Sequence, residues 1–166
     1  MPESQNWERR WPLFFTGNLY AMSEFSSSTI TIDAPMSEVG TTLFAVASYP
    51  EWSSAFKKVD VQESDAQGRV VKASLSVDAG ALKDVVTLIF DWSQAPDKVT
   101  FSLDDANLLT KMEGAYLLKS LDSESTSVTY ELSVGLSMPI PAMMIAKQEK
   151  STIDSALKQL KEHLEG

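Results

Sequence analysis

The sequence contains no cysteine and a single histidine, His163. Disulfides, thiol nucleophiles and thiolate metal sites are therefore excluded, and a Ser/His/Asp triad or a zinc site would have one imidazole at most. His163 itself falls near the C-terminal end of a predicted helix, where an interaction with the helix dipole is the simpler role. We predict no metal site, no cofactor and no catalytic residue from this inventory.

Positive charge is also scarce, with 14 Lys and Arg residues against 23 Asp and Glu and a net charge of −9. This balance would repel a polyphosphate, so we expect no nucleic-acid partner. No apolar run approaches the roughly 18 residues that a transmembrane helix needs. The apolar run from Pro12 to Phe15 is too short for an export signal, and we expect a cytoplasmic protein.

Length and composition predict one globular domain, since 43% of the 166 residues are apolar and 22% are charged. Residues 1–22 precede the first strand pattern, and Met22 is a second candidate start. We treat residues 1–22 as an N-terminal extension that is either disordered or held down by its aromatic rings. Residues 23–166 then form the domain.

Seven segments alternate apolar and polar residues with a period of two, which is typical of half-buried strands. The first covers residues 27–33, and the other six follow one another between residues 58 and 135 with turn residues between them. Such short connections favour one antiparallel, meandering sheet.

Helical patterns flank this series of strands. A short amphipathic helix is predicted to about residue 47, followed by a break at Pro50 and one more turn over residues 51–55. Residues 142–164 lack proline and glycine and repeat their apolar residues with a period near 3.6, which predicts one long helix. Because one helical stripe cannot cover seven strands, the α+β fold requires a curved sheet wrapped around this helix, with a space left between them.

These pieces together resemble the START-like superfamily, specifically the bacterial polyketide cyclase/dehydrase and lipid-transport-like (SRPBCC) proteins. The resemblance covers residues 24–164 and implies a helix-grip fold with a deep apolar cavity, in a family of carriers, cyclases and stress-response binders. The matching stretches are ITIDAPMSEVGTTLFAVASYPEW at 30–52, IFDW at 89–92, MEGAYLL at 112–118, VTYEL at 128–132 and MPIP at 138–141.

The apolar strand faces either fill a solid core or line such a cavity. A large empty space is costly unless rigid walls, water or a ligand maintain it, so the cavity alternative implies a ligand. The rings of Tyr49, Trp52 and Phe56 would close its mouth from the short helices. The residues predicted to bind the ligand are Tyr49, Trp52, Phe56, Leu75, Val77, Leu88, Phe90, Phe101, Met112, Tyr116, Tyr130, Met138, Met143, Glu149 and Ile153.

Four of these residues lie on the last helix or its approach: Met138, Met143, Glu149 and Ile153. Glu149 lies close to the buried stripe where an apolar residue is expected, so it either forms a polar end of the pocket or turns to solvent at its mouth. Met138 and Met143 carry flexible thioethers, which suit a surface that adapts to varied apolar ligands or simply fill gaps.

Two functions of different classes follow from this pattern. We favour non-catalytic binding or transport of a small hydrophobic molecule, lipid-like or polyketide-like, in the cavity between sheet and helix. The alternative is a cyclase/dehydrase-type enzyme that would use a tyrosine hydroxyl and Glu149 as acid and base. A groove that binds a protein is a third possibility.

Overall fold

The computed structural model describes residues 25–80 and 82–166, so the predictions for residues 1–22 lie outside the described part of the chain. The strands are β1 (Ser26–Ile32), β2 (Phe56–Ser64), β3 (Val70–Ala79), β4 (Leu82–Asp91), β5 (Lys98–Ala106), β6 (Leu109–Asp122) and β7 (Ser125–Leu136). The helices are α1 (Met36–Leu43), a 3-10 helix (Val46–Glu51) and α2 (Ala142–Glu165).

The seven strands form one antiparallel sheet in the order β1-β7-β6-β5-β4-β3-β2. Strands β2 to β7 are neighbours in chain order, whereas β1 pairs with β7, with Ser26 opposite Leu132 and Ile32 opposite Thr126. Helix α1 and the 3-10 helix therefore connect the two edges of the described sheet. This arrangement confirms the predicted α+β fold, with two short helices after the first strand.

Helix α2 runs along β1 and packs mainly on β1 and β7. Its core-facing residues are Glu149, Ile153, Ala156, Leu157 and Leu160. Near the C-terminal end of α2, the Lys161 ammonium group donates a hydrogen bond of 2.8 Å to the carbonyl oxygen of Thr31.

The first turns of α2 lie outside this packing. Ala142 and Ala146, which the helical period places on the buried stripe, are exposed. Strand β1 begins at Ser26, whose hydroxyl contacts Glu149, so the turns before Glu149 extend past the described start of that strand.

Two local predictions around Pro50 were wrong. Pro50 lies inside the 3-10 helix and does not break the helical segment. This helix spans six residues, so few of its N–H groups need an internal acceptor, and the carbonyl oxygen of Tyr49 accepts the N–H groups of Trp52 and Ser53 at 3.2 and 2.9 Å. Phe56 is the first residue of β2 and does not lie on a short helix.

Strands β5 and β6 come close together at Gly114, where their paired register ends. The register runs from Lys98 opposite Leu117 to Phe101 opposite Gly114. A methyl group on Gly114 would lie 2.3 Å from the carbonyl oxygen of Glu131 in β7 and 2.6 Å from the Phe101 ring. Only a residue without a side chain allows this close approach, so Gly114 permits the Phe101 ring to lie against β6.

The buried carboxylate of Asp84 in β4 holds the turn between β5 and β6. Its two oxygens accept the backbone N–H groups of Val85, Asn107, Leu108 and Leu109 at 2.8, 3.2, 2.9 and 3.0 Å. Burial alone raises the pKa of Asp84, but these four hydrogen bonds outweigh burial and lower the pKa below its usual value. The ionised carboxylate is therefore part of the folded structure at neutral pH.

Candidate functional site

Most of the predicted ligand-binding residues come together in the interior between the sheet and α2. Twelve of the fifteen belong to one buried hydrophobic cluster. They are Tyr49, Trp52, Phe56, Leu75, Val77, Leu88, Phe90, Phe101, Met112, Tyr116, Tyr130 and Ile153. The structure thus brings these twelve side chains together in one buried cluster, and their contact with a ligand remains a prediction.

The cluster contains eight aromatic side chains, and the seven that were predicted as site residues are called the aromatic interior: Tyr49, Trp52, Phe56, Phe90, Phe101, Tyr116 and Tyr130. On the 3-10 side, the Tyr49 ring lies 5.5 Å from both the Trp52 and the Phe56 ring centroids. On the sheet, Tyr116 and Tyr130 stand opposite each other on β6 and β7 with their ring centroids 4.4 Å apart. Rings at these spacings present π faces and edges to the same interior volume.

The three tyrosine hydroxyl groups of the aromatic interior interact with one another. Burial raises the pKa of Tyr49 far above its usual value, and proximity to Tyr130 raises it further. Burial raises the pKa of Tyr116 as well, followed by the charges of Tyr130 and Tyr49 and by a hydrogen bond to Tyr130. Burial raises the pKa of Tyr130 to about 12, partly offset by its hydrogen bond with Tyr116. All three hydroxyls are therefore neutral at physiological pH.

Spectrophotometric titration of tyrosine tests this environment. We expect Tyr49, Tyr116 and Tyr130 to remain protonated up to about pH 12 in the folded protein. Because their folded pKa values are raised, their contribution to stability is complete below the unfolded value of about 10 and is lost as the pH rises through the folded values. The free energy of unfolding should therefore fall from about pH 10 upwards. Ionisation of three tyrosines near pH 10 without unfolding would contradict the structure.

Glu149 is buried, with 5% of its surface exposed, and its carboxylate has protein partners. One oxygen accepts the Ser26 hydroxyl at 2.7 Å, and the other accepts the backbone N–H of Val134 at 2.7 Å. These bonds join α2 to β1 and β7. The side chain therefore serves as a structural link, and the prediction that it forms the polar end of a ligand pocket stays a prediction.

Met138 and Met143 lie apart from the aromatic interior. Met138 is 49% exposed in the segment before α2, and Met143 is 83% exposed in the first turn of that helix. Both residues precede Glu149, and the turns of α2 before Glu149 extend past the described start of β1. The structure brings neither thioether into the buried cluster.

A groove of about 270 Å³ lies between α2 and two segments of the chain, residues 54–55 before β2 and residues 78–80 at the end of β3. Two glutamines of α2 bridge it. Gln148 donates to the carbonyl oxygen of Ala79 at 2.9 Å. Gln159 accepts the Ser54 N–H at 3.0 Å and donates to the Ser54 hydroxyl at 2.8 Å. Ala156 belongs to the buried cluster and Ala55 packs against it, and both line the groove, so part of the groove floor is the surface of that cluster.

Sequence reasoning missed this groove, although its signal is present in α2. The groove residues Gln148, Thr152, Ser155 and Gln159 follow one another at steps of four, three and four. That spacing is helical and places a polar stripe beside the apolar stripe. A polar stripe is normally a solvated helix face, so only the position of α2 across the sheet shows that it lines a groove.

The described residues 25–80 and 82–166 contain no helix that is long and apolar enough to cross a membrane. Within the same ranges, no three or more His, Asp or Glu side chains are grouped so that they could hold a metal ion.

Comparison with known proteins gives one family. Residues 25–165 match the family described as polyketide cyclase/dehydrase and lipid transport. No curated protein sequence matches the chain.

Solved structures share the fold at low sequence identity. A START superfamily protein from Mycobacterium smegmatis is 21% identical with a TM-score of 0.80, over 85% of this chain and 97% of that chain. The Zhui aromatase/cyclase from a Streptomyces species is 18% identical with a TM-score of 0.65, over 85% and 93%. A protein from Thermus thermophilus is 16% identical with a TM-score of 0.72, over 84% and 96%. These structures confirm the fold resemblance predicted from the sequence.

Proposed function

We propose that this chain, which belongs to the polyketide cyclase/dehydrase and lipid-transport family, binds or carries a small hydrophobic molecule between the sheet and helix α2. The ligand would occupy the aromatic interior and would enter through the groove beside α2. A cytoplasmic location in a bacterial cell is part of this proposal.

The observation that carries the proposal is the unequal attachment of α2. On the side of β1 and β7 the helix packs through Ile153, Leu157 and Leu160, all of which are buried. On the opposite side, Gln148 and Gln159 reach across the groove with hydrogen bonds. These hydrogen bonds are exposed or only part-buried and contribute little to stability, so the groove side can open while the apolar side stays packed. Such an opening gives a ligand access to the interior.

The enzyme alternative lacks a comparable observation. It requires Glu149 as a base, and both Glu149 oxygens are engaged by Ser26 and Val134. The likeness to an aromatase/cyclase at 18% identity concerns the fold. Binding therefore remains the proposed function, and turnover that is lost in Tyr116→Phe or Tyr130→Phe while binding persists would favour an enzyme instead.

A side chain that fills the groove should block binding. We expect Ala156→Phe to weaken binding of a neutral hydrophobic probe, Nile red, by at least about tenfold, because the ring would occupy the groove floor. Ser155→Phe, at an exposed position on the groove wall, should weaken binding without disturbing the core. Fluorescence titration of the purified full-length protein measures both effects, and native mass spectrometry with extraction identifies any co-purifying molecule.

Ala146→Phe is the matched control, since Ala146 is an exposed alanine of the same helix away from the groove. Its Nile red affinity should equal that of the parent protein. Near-ultraviolet circular dichroism of all three variants checks that the fold is retained. Equal affinities in the folded groove variants and the control would refute the proposed route.

A further inference from the structure

Two hydrogen-bonding groups in the segment before β2 are buried without a partner among the described residues. Trp52 is 8% exposed and Ser53 is 2% exposed. Neither the Trp52 indole nitrogen nor the Ser53 hydroxyl has a hydrogen-bond partner among the described residues. By contrast, the buried indole of Trp92 donates to the carbonyl oxygen of Val70 at 2.6 Å. Buried polar groups are nearly always paired, so an unpaired set indicates a partner from outside the chain.

The position of these two groups connects them with the proposed ligand. Trp52 packs against Tyr49 in the aromatic interior, with ring centroids 5.5 Å apart. The next residues along the chain, Ser54 and Ala55, line the groove. Trp52 and Ser53 therefore belong to the segment that leads from the aromatic interior to the groove, the two regions that the proposed function connects.

The chemistry of the surroundings selects the kind of partner. An indole N–H is a donor only, so its partner must be an acceptor. The buried charged side chains among the described residues are Asp84 and Glu149, both acidic, and none is a lysine, arginine or histidine. A buried anion would have no cation to offset its desolvation. The rings of the aromatic interior favour a flat π system beside them.

We propose that the ligand is a neutral molecule with an aromatic ring and a carbonyl-type oxygen that accepts hydrogen bonds from the Trp52 indole and the Ser53 hydroxyl. The site discriminates against carboxylates and phosphates of similar size. This inference rests on the proposed function and adds the chemical class of the ligand.

Three naphthalene compounds separate the effects of the ring, the acceptor oxygen and the charge. Naphthalene has no acceptor, acetylnaphthalene has a neutral carbonyl and naphthoate is an anion. Titration calorimetry of the full-length protein at neutral pH should give acetylnaphthalene an affinity about tenfold higher than naphthalene. Naphthoate should bind at least about tenfold more weakly than acetylnaphthalene. Trp52→Phe and Ser53→Ala should reduce the preference for acetylnaphthalene over naphthalene.

Trp92→Phe is the matched control, because it removes an indole whose N–H is already paired with Val70. It should leave the preference unchanged. Equal parent affinities for acetylnaphthalene and naphthalene would overturn the inference, as would tightest binding of naphthoate or an unchanged preference in Ser53→Ala and folded Trp52→Phe. Failure of all three compounds to bind would instead contradict the proposed function, on which the inference rests.

Discussion

The substitution Gly114→Ala is expected to lower the free energy of unfolding by about 3 kcal/mol, at the upper end of the cost of overpacking. The added methyl group would lie 2.3 Å from the carbonyl oxygen of Glu131 and 2.6 Å from the Phe101 ring. Backbone atoms of a paired strand cannot move aside like a flexible side chain, so β6 and β7 would have to separate locally.

The damage should extend to the candidate site. The Phe101 ring lies 6.3 Å from Tyr116 and 6.5 Å from Tyr130 between centroids, so its displacement would disturb the aromatic interior. Urea unfolding followed by far-ultraviolet circular dichroism measures the loss of stability. Nile red titration of the folded fraction should show weaker binding.

Gly40→Ala provides the control. A methyl group on Gly40 in α1 would meet the Phe44 ring at 3.5 Å, which is ordinary van der Waals contact. Alanine is also favoured over glycine inside a helix, so this variant should be as stable as the parent or more stable by up to about 1 kcal/mol. Similar stabilities for Gly40→Ala and Gly114→Ala would show that the close approach in the sheet is wrong.

The substitution Asp84→Asn is expected to lower the free energy of unfolding by about 2 kcal/mol at neutral pH. The parent carboxylate accepts four backbone N–H groups with its two oxygens. An asparagine keeps one acceptor oxygen and turns an N–H₂ group toward N–H donors, which leaves some of them unpaired. Because three of these bonds join β4 to the turn between β5 and β6, that turn should loosen.

The pH dependence of the free energy of unfolding tests whether the ionised Asp84 carboxylate is the stabilising form. The folded pKa of Asp84 is lowered, since the hydrogen bonds outweigh burial. Its contribution is therefore present above the unfolded pKa of about 3.9 and is lost as the pH falls through the lower folded value. The stability difference between parent and Asp84→Asn should be constant near neutral pH and shrink below about pH 4. Urea unfolding at several pH values measures it.

Asp104→Asn is a matched control at the surface. Asp104 forms an ion pair with Lys72 at 3.3 Å, and their side chains are 41% and 36% exposed. Exposed pairs of this kind contribute little, so the change should cost less than about 0.5 kcal/mol. If Asp84→Asn proved as mild as Asp104→Asn, the role of Asp84 in holding the turn would be refuted.

Local patterns were sufficient for the elements of this fold. Alternation with a period of two predicted every strand of the described sheet, and the 3.6 period predicted α2 to within one residue of its end. These patterns succeed because a strand or helix must place its apolar residues on one face. Pro50 shows where prediction from local patterns fails, because a six-residue 3-10 helix tolerates a proline that a longer α-helix would exclude.

The site could be predicted only in part. Large apolar residues such as Tyr116 and Tyr130 had to be buried, and their burial was predicted correctly. The partners of polar residues were not predictable, because they come from distant positions: Glu149 meets Ser26, and Gln159 meets Ser54. The exposed position of Met143 likewise depends on where β1 begins.

The amino-acid sequence alone determined which side chains must leave water and at what period they recur, because hydrophobicity and chain geometry are properties of neighbouring residues. Only the tertiary structure decided which polar groups pair and which do not. The pairing of Asp84 with the turn at Asn107 and the isolation of the Trp52 indole both depend on which groups the fold brings near them. Those neighbours come from residues far apart in the chain, as the close approach of Gly114 to Glu131 also does.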